Sequence, residues 1–192
     1  MSLKELQGRA AGAELVEMRI HDAMARVADY LHDQRERFFP VSRPLSEDLR
    51  RTAARFFSPA LIDAVRIVEL THCRLENPPF YAEAEAQGFS NLPDIRHMAS
   101  LTFEDVLVFH QSPADRILFH ALVHAVQFQM LGLERYTELF VRAFLRMGSH
   151  FLVPLEAQAF ALDSKFTVNG EGAFSVEEEV CKWIREDRYV IR

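Results

Sequence analysis

Phe119-His120-Ala121-Leu122-Val123-His124-Ala125-Val126-Gln127 is the stretch whose reading decides the fold. Two histidines four apart sit inside a run, Ile117 to Leu133, that is otherwise almost wholly apolar. On a helix, residues i and i+4 lie one turn apart on the same face, with Cβ atoms about 5–6 Å from each other. A helix that is apolar on nearly every side belongs in a core. A buried imidazole left without a partner costs about 1–3 kcal/mol. The two rings therefore need partners, and their spacing lets both converge on one metal ion at roughly 2.0–2.1 Å from each nitrogen. The alternative is a pair of core histidines satisfied by backbone carbonyls or carboxylates.

Working outward, Ser112-Pro113-Ala114-Asp115 reads as the start of this helix, with a serine cap, proline at the first position and an acid at the third. Gly132 stops it. A further helix is expected over about 134–147, ended by Gly148, and another from Pro154 to about Phe166. Asn169-Gly170 is a turn signal. Ser175-Val176-Glu177-Glu178 is a capping box for a last helix to about Arg188, with Glu177, Glu178 and Glu179 as its solvated start.

Upstream, helical spacing over 3 to about 37 ends at Phe38-Phe39-Pro40. Ser46-Glu47-Asp48 and Ser58-Pro59 open two short helices. Val65 to Leu70 alternates and is β-branched, so it reads as a strand, and two more strands are expected near Ala99–Phe103 and Asp105–Phe109. The class is α+β, helix-dominant, with a small sheet before a buried histidine helix and an edge strand flanking its cleft. The expected organisation is an N-terminal helical segment over 1–57 and a main domain over 58–192, one compact unit overall.

Composition narrows the function. Twenty-two basic against twenty-eight acidic residues give a net charge of −6, so electrostatic capture of nucleic acid is not expected. Cys73 and Cys181 form no CxxC pair, which excludes a cysteine zinc ribbon and a disulfide scaffold. No secretory signal is read at the N-terminus, and His120, His124, Gln127 and Gln129 interrupt the most apolar stretch, so no membrane span is expected. A cytoplasmic location with both thiols free follows from these readings. Sixteen phenylalanines are enough to fill a core and to line an apolar cleft beside the histidines.

A third donor is available downstream. Pro154-Leu155-Glu156 sets a carboxylate at the opening of a helix. Two histidines from one helix and a glutamate from a later one make a three-ligand zinc site with the fourth position open. Leu118-Phe119-His120, Leu122-Val123-His124, Val126-Gln127, Leu131-Gly132, Tyr136, Val141-Arg142, Phe144, Pro154-Leu155-Glu156 and Ala159 occur in that order, preceded by Asn77-Pro78-Pro79-Phe80-Tyr81 and Leu101-Thr102-Phe103. This succession, over about 55–166, resembles a bacterial group of gluzincin-type, zincin-like metallopeptidases. The resemblance implies a zincin-like fold, zinc as cofactor, a peptide or protein as partner, and His120, His124 and Glu156 as ligands. Tyr136 and His150 would be candidate donors at the open position, and Gln127 and Asp163 would support the ligands from behind.

One residue departs from that pattern. Where HExxH has its catalytic glutamate, this chain has Ala121. In the zincin reaction that glutamate takes a proton from the attacking water and passes it to the leaving amine, and a methyl group does neither. The expectation is a metal-binding pseudo-peptidase or binding module in which Ala121→Glu would restore a proton acceptor. An active metallohydrolase with its base elsewhere and a metal-free helical interaction domain are the alternatives. The ExxH spacing of Glu69-Leu70-Thr71-His72 has no second copy, as a di-iron bundle would require, and the chain continues well past the point where small HxxxHxxQ bundles end.

Overall fold

The computed structural model describes residues 3–71, 73–168 and 172–191; the Asn169-Gly170 turn and His72 lie outside them. Helix α1 spans Leu3–Phe38, followed by β1 (Arg43–Pro44), α2 (Glu47–Ala53), α3 (Pro59–Ala64) and β2 (Arg66–Glu69). Next come α4 (Tyr81–Ala86), the hairpin β3 (Ser100–Phe103) and β4 (Val106–Phe109), then α5 (Asp115–Met147), α6 (Pro154–Val168) and α7 (Val176–Arg185). The class is α+β with helix dominant.

Most helix starts follow local rules. Ser46, Ser58 and Ser175 are extended, and their side chains accept the amides of Leu49, Leu61 and Glu178. Each thereby satisfies one of the free N–H groups of a first turn. Three expectations need correction. Helix α5 begins at Asp115 rather than beside Ser112, because Ala114 is still extended and it is the Ala114 carbonyl that receives the Ile117 and Leu118 amides. The last helix stops at Arg185, where Asp187 takes a positive φ of 53° and turns Tyr189 back into the core. The acidic run is not a solvated start throughout. Glu177 accepts the Ser58 amide at 2.7 Å and Glu179 pairs with Lys165 at 2.9 Å, tying α7 to α3 and α6, while Glu178 is exposed.

The sheet order is β1-β2-β4-β3. β2 and β4 are parallel, with Arg66 opposite Val106 and Glu69 opposite Phe109. β3 and β4 form an antiparallel hairpin whose turn carries Glu104 at φ 56°. All four residues of β4 are buried, as expected of a central strand covered on both faces. β1, which periodicity does not anticipate, is a two-residue edge ending in Pro44, a position where the missing N–H is harmless. Leu107 and Phe109 from the sheet share a core cluster with Leu118, Leu122 and Val126 of α5. At the other edge, the Thr102 hydroxyl of β3 donates to the Ala121 carbonyl at 3.2 Å. On the second face, Phe38 of α1 stacks on Phe103 and Tyr30 meets it edge-on, so α1 closes that side.

Helix α5 is bent. Gly132 has φ 75° and ψ 161°, outside helical space, and the helix resumes after it. Eight residues of uninterrupted helix span about 12 Å, yet the Phe128 and Tyr136 rings stack with centroids 3.7 Å apart. The bend thus returns the second arm towards the histidines. By length and composition α5 could cross a membrane, but 56% of its most apolar window is buried inside the fold, the behaviour of a core helix.

Candidate metal centre

His120 and His124 project from the first arm of α5, and Glu156 from the first turn of α6. The two Nε2 atoms are 3.1 Å apart, and each lies 3.5 Å from Glu156 Oε2. A tetrahedral zinc ion with bonds of roughly 2.0–2.1 Å sets neighbouring ligand atoms about 3.4 Å apart. The three atoms therefore form a triangle of the size that three corners of such a tetrahedron require, and among the described residues they are the one group so arranged.

The protons say more than the distances. Nδ1 of His120 lies 3.1 Å from Asp163 Oδ2, a carboxylate that can only accept. Nδ1 of His124 lies 2.8 Å from Gln127 Oε1. The Gln127 amide nitrogen donates to the Leu155 carbonyl and to Gln158 Oε1, both at 3.0 Å, so its oxygen is the end turned to the histidine. Each neutral ring therefore carries its hydrogen on Nδ1. Both Nε2 lone pairs and a carboxylate oxygen are then left facing one another, an arrangement that a cation resolves.

Electrostatics agree. Burial opposes ionisation of Glu156, but His124 and His120 outweigh it and hold the carboxyl well below the usual range. Burial likewise disfavours a charged His124, and Glu156 overcomes this, moving its pKa upward. Asp163 is buried, and its Oδ1 accepts from Arg116 Nε at 3.1 Å and Nη2 at 2.9 Å. The charge that orients His120 is thus itself neutralised.

The remaining sequence candidates fall around this triangle. Tyr136, brought back by the Gly132 bend, sets its hydroxyl oxygen 3.3 Å from His124 Nδ1, behind the ring rather than beside its Nε2. Burial, with Glu156 and Tyr189 adding to it, pushes its phenol well above the ordinary value, so it stays protonated. His150 lines the same cleft as the triangle, and burial pushes its pKa down despite the pull of Glu156. The Ala121 methyl is fully enclosed in the apolar core cluster shared with Leu122, Val123 and Leu107.

The cleft encloses about 830 Å³ between α1, α4, β3, α5 and α6, within the roughly 300–1,000 Å³ typical of small-molecule sites. Its walls include Phe80, Phe103, Phe128, Phe140, Phe144 and Phe160, as the phenylalanine count foreshadows. Edge strand β3 flanks it through Ser100 to Phe103.

Four contributors escape sequence reasoning. Arg116 lies one turn before His120, a spacing that would have found it. Gln158, like Gln127, is a polar residue inside an apolar helix, a usable signal. Phe160 sets its ring 4.6 Å from that of His120. Tyr189, whose hydroxyl donates to Gln158 Oε1, has no signal in the sequence. No family model, no curated protein and no solved structure matches the chain.

Proposed function

We propose that this chain is a zincin-like, metal-dependent binding module that lacks the peptidase base. The carrying observation is the convergence of His120 Nε2, His124 Nε2 and Glu156 Oε2 while both Nδ1 atoms are committed elsewhere. His120, His124 and Glu156 would hold zinc or a similar divalent ion. When bound, the ion supplies a Lewis-acid centre that polarises a group at the open position. The protein's part is to orient the donors: Asp163, steadied by Arg116, fixes His120, and Gln127, steadied by Gln158, fixes His124. Such supporting partners are typically worth about 10–100-fold in metal affinity.

At position 121 there is no group to accept a proton. General acid–base residues contribute about 10²–10⁴-fold in rate, so peptide turnover should be slow or absent. The test is metal analysis of untagged protein. About one zinc per chain is expected, lost in His120→Ala, and unchanged content in that variant refutes the assignment. Chelator-sensitive cleavage of casein by this chain would overturn the baseless reading. Ala121→Glu completes the test. Chelator-sensitive cleavage of a broad peptide library by the zinc-loaded variant would make the chain a peptidase one residue short. Because the Ala121 methyl is enclosed in the core, silence supports a binding module only where the variant binds zinc and melts like the parent.

A further inference from the structure

The cleft is polar at one end and apolar along its walls, and that division carries information about its occupant. At the polar end, zinc at +2 and Glu156 at −1 leave about one positive charge beside two neutral imidazoles, since Asp163 is balanced by Arg116. An anionic head matches that end. Along the walls stand Leu31, Leu92, Phe103, Phe140, Phe144 and Phe160. At the α1–α4 side Arg26 bonds Asp22 and Glu83 and Asp94 bonds Arg96, all at solvent-exposed positions, and Arg19 reaches the same rim from an exposed position on α1.

A peptide backbone would bring a donor and an acceptor per residue into this space. Edge strand β3 offers partners along one side only, and each group turned to the phenylalanine walls stays unpaired at a cost of about 1–3 kcal/mol. A hydrocarbon body brings none. The apolar character also continues outside. Phe151 and Phe160, ring centroids 6.0 Å apart, both line the cleft and are 59% and 37% exposed. Leu152 beside them is 54% exposed, and Met147 of α5 is 41% exposed. Phe160 also touches His120, so this lip runs directly into the donor triangle. Exposed apolar residues rimming a cavity mark an entry for apolar matter.

We infer that the cleft takes an acyl carboxylate, with its hydrocarbon body along the phenylalanine walls and its carboxylate head at the open position beside His120, His124 and Glu156. This rests on the metal reading above. The probe is dodecanoate, titrated calorimetrically into protein whose zinc content is measured on the same sample. Zinc-loaded protein should bind dodecanoate at least tenfold more tightly than metal-free protein does, and at least a hundredfold more tightly than it binds acetate. Dodecylammonium should not compete.

Ala84→Trp, which intrudes from the α4 wall, should weaken dodecanoate at least tenfold while leaving acetate and zinc content unchanged. Ala23→Trp on α1 is the second variant should the first not fold. Absence of bound zinc defeats the metal reading, whatever dodecanoate does. With zinc bound, equal affinities for dodecanoate and acetate, equal binding with and without metal, or tighter binding of the apolar tripeptide Ala-Leu-Phe would each overturn the acyl assignment.

Discussion

His120 and His124 occupy equivalent places one turn apart on α5, yet they are secured by opposite means. His120 leans on a charge, the carboxylate of Asp163, which a half-exposed Arg116 neutralises from the solvent side. His124 leans on a neutral chain of amides and phenols, Gln127 to Gln158 to Tyr189, sealed in the interior. The first support can be weakened while water replaces what is lost. The second cannot, because no water reaches it. Identical donor geometry therefore conceals two different sensitivities, one of the candidate site and one of the fold.

The strongest way to break that contrast is Gln127→Leu. It removes the nearer partner of His124 Nδ1, leaving the Tyr136 hydroxyl at 3.3 Å, and takes one donor from the Leu155 carbonyl and one from Gln158 Oε1, which keeps Tyr189. Each buried group left unsatisfied costs about 1–3 kcal/mol. Chemical denaturation should show a loss of several kcal/mol even without metal. A loss below about 1 kcal/mol would mean that the buried chain is not structural. Asp163→Asn should behave in the reverse way. Zinc affinity should fall about 10–100-fold, while metal-free stability changes far less, because Arg116 is already half solvated. Competition with a chelator of known affinity measures the first quantity, and an unchanged value would dismiss Asp163 as a support.

Protons sharpen the comparison further. His124 has a raised pKa, so its contribution to metal-free stability is complete below the unfolded value near ~6.5 and disappears as pH rises through the folded one. Glu156 has a depressed pKa, so its contribution holds above ~4.3 and disappears as pH falls through the folded value. Zinc must displace the His124 proton, so zinc-dependent stabilisation should grow with rising pH while metal-free stability declines. Thermal melts from pH 6 to 8 with and without zinc should diverge, with protons released on binding where His124 is charged. Parallel trends would show that His124 is not a ligand.

What was legible in the sequence follows from how local each signal is. The histidine helix, Gly132, the Ser46, Ser58 and Ser175 caps and the three main strands are written in spacing or in single residues that act within one turn. Glu156 is legible because it opens a helix, although its meeting with the histidines is a tertiary fact. β1 was invisible because two residues have no period. Tyr189 was invisible because its place depends on Asp187 turning the chain back after α7. The role of Glu177 is hidden for a similar reason: acids in a first turn look solvated until another helix, here α3, arrives to use one.

The bend at Gly132 finally makes the site a question of handedness. At φ 75° and ψ 161° the backbone lies in territory that essentially only glycine occupies, and the mirror image of that conformation is close to ordinary extended chain. Apart from its chain neighbours and the adjoining helix backbone, no atom lies within 4 Å of where an L side chain would begin, so crowding by the rest of the fold is not the obstacle. An L-alanine would meet only the chiral penalty of its own backbone, about 1–3 kcal/mol, whereas a D-alanine would find the same dihedral angles natural. The return of Tyr136 to His124 thus hangs on one achiral residue, Gly132, placed where every other amino acid of the chain would resist.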